Sequence, residues 1–488
     1  MDHLRKILPL TLDIAFFGSP LARAKPVFTA SEIEGQGSEI IYCDLEGDHL
    51  KDAVLVDGLN LSIFHQDSKS GFPRQPQQQV RLDDRPAIVW PARLGRNAES
   101  LLVMTSAGVT ELSFTSRTSP PTRRQIIQQP TIIPEQLDET PVKYFPMSTE
   151  TGTDWPLLLL PVTGGLEVWQ HRDGWQRAQF IEHSVETHIR PAVTNAGYSQ
   201  SFGLSLSVSD VNGDGRDDLM IMRNVAGGMQ TYALYLQTDG RFTSEPTLTY
   251  TNKADWRTAL CWIDINRDGR LDLIKSTLQD DPSFLPGMRS GKVLIGAYLA
   301  DAQNRIPAEP QQVFRKNDWS SALPVADVDG DGFMDMVLGY IPLNTREGFR
   351  KMITAEQIDF SLRFYFSRPG AGFPKDPDSQ RDLVIHFDRE FFSTVNRGLY
   401  YEQFVNLNGD FNGDGKKDLL VRDRSDAVSV YFFVSRETGF SPKADLKFNS
   451  SEPIDSYEVK DLNGDGVSDL IIKFQKRNAF RIFTSQSK

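Results

Sequence analysis

Cysteine is almost absent: Cys43 and Cys261 are the only two in 488 residues. No disulfide framework can hold such a chain, so its stability must come from packing, bound ions or both. Each precedes an acidic segment by one to three residues and reads as a small apolar side chain in a strand. Beyond the N-terminal stretch, nothing approaches the ~18 uninterrupted apolar residues of a membrane-spanning helix. Positive charge is in deficit, with 53 Lys and Arg against 65 Asp and Glu and a formal charge of −12. No clustered basic run offers the phosphate contacts that a nucleic-acid binder needs, so cations are the expected partners. What is present, 39% hydrophobic residues with 36 Gly and 28 Pro, describes a folded, turn-rich chain and excludes a largely disordered one.

Residues 1–24 read as an export signal: Arg5 and Lys6 open it, Ile7 to Gly18 form an apolar stretch interrupted by Asp13, and Ala22-Arg23-Ala24 is a small-x-small cleavage site. The remainder, 25–488, is expected to be one exported domain, in the periplasm, at the cell surface or outside the cell. Neither cysteine follows the apolar stretch closely, so no lipid anchor is indicated.

A nine-residue pattern, D-x-N-x-D-G-x-x-D, recurs along most of the chain. Its five near-perfect copies begin at Asp210, Asp264, Asp327, Asp410 and Asp461, and a degraded copy begins at Asp44, with His49 where the others carry Gly. Short aliphatic runs follow each copy, as in Leu219 to Met222 or Leu470 to Ile472, and strand-like segments precede them, as in Ser205 to Ser209. Each acidic loop therefore joins two strands. The interval between the loops at 44 and 210 is roughly three times the spacing of most neighbours, which leaves room for two repeats without the carboxylate ladder. The first is expected at Ala87 to Trp90, Ser100 to Met104 and Val109 to Phe114, the second at Val142 to Phe145, Leu157 to Leu160 and Leu166 to Trp169.

Eight units of three or four short strands result, none able to bury both sheet faces alone, so neighbours must stack. Radial closure fits the ends: the last unit has room for three strands, and a spare strand around Lys25 to Thr29 can complete it and remove the exposed edge. The expected fold is an all-β propeller of eight blades, with seven as the alternative. In the eight-bladed ring, Cys43 and Cys261 fall in opposite blades, beyond the roughly 7 Å that a disulfide can bridge.

At these residues the chain resembles the FG-GAP/VCBS repeat family, the propeller repeats also found in integrin α-subunits and many bacterial surface proteins. Phe202-Gly203, the Asp210 loop and Leu219 match the family's order of FG, metal loop and apolar strand, and Gly339 to Pro342 resembles its GAP element. The resemblance implies a propeller with structural calcium and leaves the partner open, because the family spans adhesion, sugar binding and other roles.

The loop chemistry points to the same ion. Calcium takes six to eight hard oxygen ligands, which a tight loop can present at alternating positions when a glycine permits the turn. Positions 1, 3, 5 and 9 supply side-chain oxygens and position 7 a carbonyl. The expected sets are Asp210, Asn212, Asp214, Arg216 and Asp218; Asp264, Asn266, Asp268, Arg270 and Asp272; Asp327, Asp329, Asp331, Phe333 and Asp335; Asp410, Asn412, Asp414, Lys416 and Asp418; and Asp461, Asn463, Asp465, Val467 and Asp469. Asp44, Glu46, Asp48 and Asp52 make the sixth candidate, equally readable as a plain turn. Oxygen-rich ligand positions without Cys or His disfavour zinc and copper. Sixteen carboxylates at the ligand positions of the five strong loops repel one another unless a cation is bound.

Loops on the face opposite the acidic ones carry the insertions: Lys275 to Lys292, Tyr340 to Asp359, His183 to Gln200 and Asp376 to Gly398. Their Phe284, Met288, Arg289, Arg346, Phe349 and Arg350 suit protein or sugar recognition. Two function classes follow. The first is a binding, adhesion or assembly module for a protein or glycan. The alternative is a calcium-dependent carbohydrate-active enzyme such as a polysaccharide lyase, though His183, His188 and His386 form no nucleophile-base spacing.

Overall fold

The computed structural model describes residues 25–35, 39–84, 88–132 (without 96), 147–149, 156–183, 187–191, 198–253 (without 203), 258–280, 291–316, 325–340, 356–386 (without 371) and 404–486, together with a few isolated positions between them. The fold is an all-β propeller of eight blades. Blade 1 comprises Glu39–Cys43, Asp52–Asp57, Asn60–Phe64 and Gln78–Arg81, an antiparallel sheet in chain order. Blade 2 follows with Ile88–Ala92, Ser100–Thr105, Gly108–Ser113 and Thr122–Ile127. Blade 3 has Leu158–Val162, Gly165–Arg172 and Gly174–Glu182, and an innermost bridge from Ser148 to Leu158 stands in for its first strand. The first strand expected at Val142 to Phe145 lies outside the described residues.

Blades 4 to 7 open at Leu204, Thr258, Val325 and Val405, each with four strands. Blade 8 contributes Ile454–Lys460, Asp469–Phe474 and Ala479–Gln486, and its outermost strand is the N-terminal Val27–Glu34. Val27 pairs with Gln486 and Glu34 with Ala479, so the two ends of the chain close the ring.

Period-2 alternation in a strand explains the aliphatic run near the start of each second strand. Ala53 and Leu55 face blade 8, whereas Val54 and Val56 face blade 2; Leu420 faces blade 8, whereas Leu419 and Val421 face blade 6. A strand buried on both faces has no polar side to show. The apolar clusters sit between blades: blades 8 and 1 share one, 1 and 2 another, 2 to 4 a third, then 4 with 5, 5 with 6, 6 with 7, and 7 with 8. That sequence returns to its start, which requires a closed ring. Cys43 and Cys261 are free thiols in blades 1 and 5.

The expected insertions shrink in the structure. Lys275 to Asp280 belongs to the second strand of blade 5 and Gln357 to Asp359 to the third of blade 6, while Ser379–His386 is the fourth strand of blade 6. Between His183 and Gln200 a hairpin of Thr187–Pro191 and Tyr198–Phe202 precedes blade 4. Strand pairing carried further into these stretches than turn-forming residues suggested, because a neighbouring strand satisfies the backbone that a loop leaves to water.

Candidate metal centres on one face of the ring

All six acidic loops join the first and second strands of their blades, so they lie on one face. The third-to-fourth-strand connections emerge on that face too. Neighbouring loops interlock through their backbones: Lys417 N donates to Val328 O (2.8 Å), Ser468 N to Asp410 O (2.7 Å), Lys51 N to Leu462 O (2.7 Å) and Glu99 N to Asp44 O (2.6 Å). Gly330 passes so close to Gly415 O that a Cβ there would stand 2.6 Å from it.

Within each loop the first Asp is a hub for backbone donors. Asp410 Oδ1 accepts from Gly413 N at 2.7 Å and Oδ2 from Gly415 N at 2.7 Å; Asp210 does the same with Gly213 and Gly215, Asp461 with Gly464 and Gly466. Positions 3 and 5 repeat the idea on a shorter span, as Asn212 Oδ1 takes Asp214 N and Asp214 Oδ1 takes Arg216 N. Position 6 needs a left-handed backbone, with φ of 80° at Gly215 and 85° at Gly415; His49 adopts 71° in the first loop, so the degraded copy keeps the turn.

The ninth-position Asp does a different job. Asp418 is fully buried, its Oδ2 accepting Phe411 N (2.7 Å) and its Oδ1 accepting Phe433 N (3.1 Å) at the end of the third strand. Asp52, Asp218, Asp272, Asp335 and Asp469 make the same two bonds in their blades. These carboxylates tie loop, second strand and third strand together. Burial outweighs the donated bonds and pushes Asp335, Asp418 and Asp469 up to about 7, and Asp218 and Asp272 up to about 6. A buried carboxylate in that state lacks a compensating positive charge.

The Asp327 loop brings the carboxylate oxygens of Asp327, Asp329 and Asp335 within 4.8 Å of one another. Asp327 Oδ1 is buried there without a donor of good geometry. This is also the loop with Asp rather than Asn at position 3, and a guanidinium answers the extra charge: Arg436, from the third-to-fourth-strand connection of blade 7, binds Asp329 through Nε and Asp331 through Nη2. Arg117 of blade 2 makes the equivalent approach to the first loop, with Nε 2.7 Å from Glu46. Position 7 shows its backbone nitrogen bonded at Arg216, Arg270, Phe333, Lys416 and Val467.

Sequence reasoning missed these arginines because they enter from the next blade. It also missed a second repeated element, the Gly-Phe turns at Gly71-Phe72, Gly372-Phe373 and Gly439-Phe440, with Arg241-Phe242 in the same place. Each phenylalanine is buried at the seam with the preceding blade. The turn backbones are held from that blade as well, Phe242 N by Gln179 and Phe373 N by Gln312.

Of the residues expected on the other face, Phe284, Met288, Arg289, Arg346 and Phe349 lie outside the described residues, and Arg350 is exposed. His386 Nδ1 stands 3.2 Å from Gln357 Nε2, and His183 is buried, its imidazole pushed down to about 4 by burial and by Arg223. Among the described residues, no helix is long and apolar enough to cross a membrane.

A model of the FG-GAP-like repeat matches residues 201–274, which span blade 4 and run into the second strand of blade 5, and 410–472, which run from the acidic loop of blade 7 into the second strand of blade 8. No curated protein matches the chain in sequence. Among solved structures, the chain aligns with BBS1N, determined in complex with ARL6DN, at 11% identity over 94% of this chain and 98% of that one, with a TM-score of 0.35.

Proposed function

From the premise that this chain is an FG-GAP-repeat β-propeller, we propose that it is an exported, calcium-loaded binding module that presents a protein- or glycan-recognition surface. The observation that carries the calcium reading is the Asp327 loop, where three carboxylates converge and a buried oxygen has no donor of good geometry. An all-oxygen donor set, with water and the position-7 carbonyl completing the shell, suits a hard ion of calcium's size. In the five strong loops the side chains at positions 1, 3, 5 and 9 would hold it, and the ion would supply the positive charge that the buried ninth-position carboxylates lack. No step of chemistry is required of it: calcium here would pin first, second and third strands and so fix the ring.

The recognition surface belongs on the opposite face, where the connections 281–290, 341–349 and 387–403 leave the strand ends. Phe284, Arg289, Arg346, Phe349 and Arg350 are its proposed anchors, because aromatic and guanidinium groups dominate binding energy at such surfaces. The test combines metal analysis of the purified protein with glycan and surface-protein arrays run with and without calcium. Retention of about five calcium ions and calcium-dependent capture of a ligand support the reading. A metal-free protein whose array pattern is unmoved by a chelator overturns it.

A further inference from the structure

We infer that the first acidic loop binds a borderline ion of the zinc type rather than calcium, through Glu46, Asp52 and His65. The argument starts from how blade 1 departs from the other blades. The residue opposite the ninth-position Asp, at the end of the third strand, is Leu236, Leu299, Phe366, Phe432 or Thr484 in the five blades with intact loops, and His65 in blade 1. The same blade carries Glu46 where four loops have Asn and one has Asp. A nitrogen donor and a longer carboxylate have thus entered one loop together.

Geometry joins them. His65 is fully buried, and neither ring nitrogen makes a hydrogen bond. Its Nδ1 is aimed at the loop, 3.3 Å from Asp52 Oδ2 and 4.0 Å from Glu46 Oε1, and the three residues bring one ligand atom each within 4.8 Å of the others. A tetrahedral zinc with bonds of about 2.0–2.2 Å spaces its ligand atoms about 3.3–3.6 Å apart. The Asp52 contact is already at that spacing, and the Glu46 contact needs a shift of about half an ångström, within reach of a side-chain rotation. Arg117 engages the other oxygen, Oε2, and so orients the carboxylate while leaving Oε1 for the ion. Asp44 accepts three backbone N–H groups, from Gly47, Asp48 and His49, whereas each Asp52 oxygen accepts one, that on Oδ2 a long 3.3 Å bond from Leu45 N. Imidazole beside two carboxylates is a donor set for zinc and its neighbours, and a poor one for calcium, which prefers oxygen throughout. Water takes the fourth position.

The test is a cobalt titration of the full chain in excess calcium, which keeps the oxygen-only loops occupied or, if they bind nothing, leaves them silent. One equivalent of cobalt is expected to bind with the intense visible bands of a four-coordinate ion, and an equivalent of zinc is expected to displace it. His65→Leu introduces the residue that blades 4 and 5 carry at this place, so it is expected to fold, with an unchanged circular-dichroism spectrum, and to lose at least about 100-fold in zinc affinity. Glu46→Asn restores the ordinary loop residue and is expected to weaken zinc by at least about 10-fold. Failure of cobalt to bind stoichiometrically, a weak six-coordinate spectrum, or full affinity in His65→Leu overturns the inference. A negative calcium result in the other loops leaves this readout untouched, so the two readings fail separately.

Discussion

Replacing Arg436 by Gln is expected to tighten calcium binding at one loop and to leave the others alone. Arg436 reaches out of blade 7 to the carboxylates of Asp329 and Asp331, two of the proposed ligands in blade 6, and its side chain is about a third exposed. A calcium ion seated among those oxygens would lie about 5 Å from the guanidinium. At that distance a unit and a double positive charge repel by about 1.7 kcal/mol in a water-like dielectric, the appropriate end of the range for a partly exposed group. The competing ion pairs that the cation must displace add a few tenths of a kcal/mol. Removing the charge should therefore gain about 1–2 kcal/mol, or about 5- to 30-fold in affinity. Calorimetric titration of the chelated protein resolves this as one equivalent moving to tighter binding while the rest stay in place. Unchanged or weaker binding in Arg436→Gln would mean that the guanidinium does not oppose the ion, and the electrostatic argument for this loop would be wrong.

Chelation of the purified protein is expected to lower its melting temperature by several degrees, with recovery on adding calcium; a melt indifferent to both would remove the proposed ions from the stability of the ring. Phe440→Ala should cost about 3–5 kcal/mol, because the ring is buried at the seam of blades 6 and 7, 5.0 Å from Phe364 and 5.5 Å from Phe433; a denaturant midpoint within error of the parent would refute its role as an inter-blade plug. His183 should make stability pH-dependent. Its folded imidazole titrates at about 4, below the ordinary 6.5, so the unfolded chain binds more protons between those values and stability falls as pH drops through that window. His183→Gln should flatten that slope in denaturation measured from pH 7 to 4, and an unaltered slope would assign it elsewhere.

The ring was legible because two local signals agreed. A nine-residue loop and the aliphatic run after it mark the first two strands of a blade wherever they occur, and counting the interval between Asp44 and Asp210 located the two blades that lack the loop. The spare N-terminal strand was legible from an excess at one end and a deficit at the other. Less visible was whatever depends on the neighbouring blade. Arg436 is 107 residues from Asp329 and Arg117 is 71 from Glu46, and nothing in the intervening sequence ties them together. His65 failed to register for a related reason: zinc was disfavoured on the composition of the nine-residue pattern alone, whereas this donor comes from the third strand. The Gly-Phe turns form a repeat in the sequence, but Gly and Phe at that spacing carry no charge chemistry that marks them as structural. The ninth-position Asp was read only as a ligand; its two backbone bonds become evident once the third strand is in place beside it.

The pairing of Val27–Glu34 with Ala479–Gln486 has a consequence for synthesis. Val27–Glu34 cannot find its partner until Ala479–Gln486 of blade 8 has emerged, so until then the nascent propeller carries an unmated edge. Such edges recruit one another, which makes delayed docking an aggregation hazard. Joining two strands more than 440 residues apart also loads the final step with a large loop-closure entropy and slows it. Loss of eight residues at the front of the domain would therefore be felt as a permanently open circle, in a product otherwise correctly made.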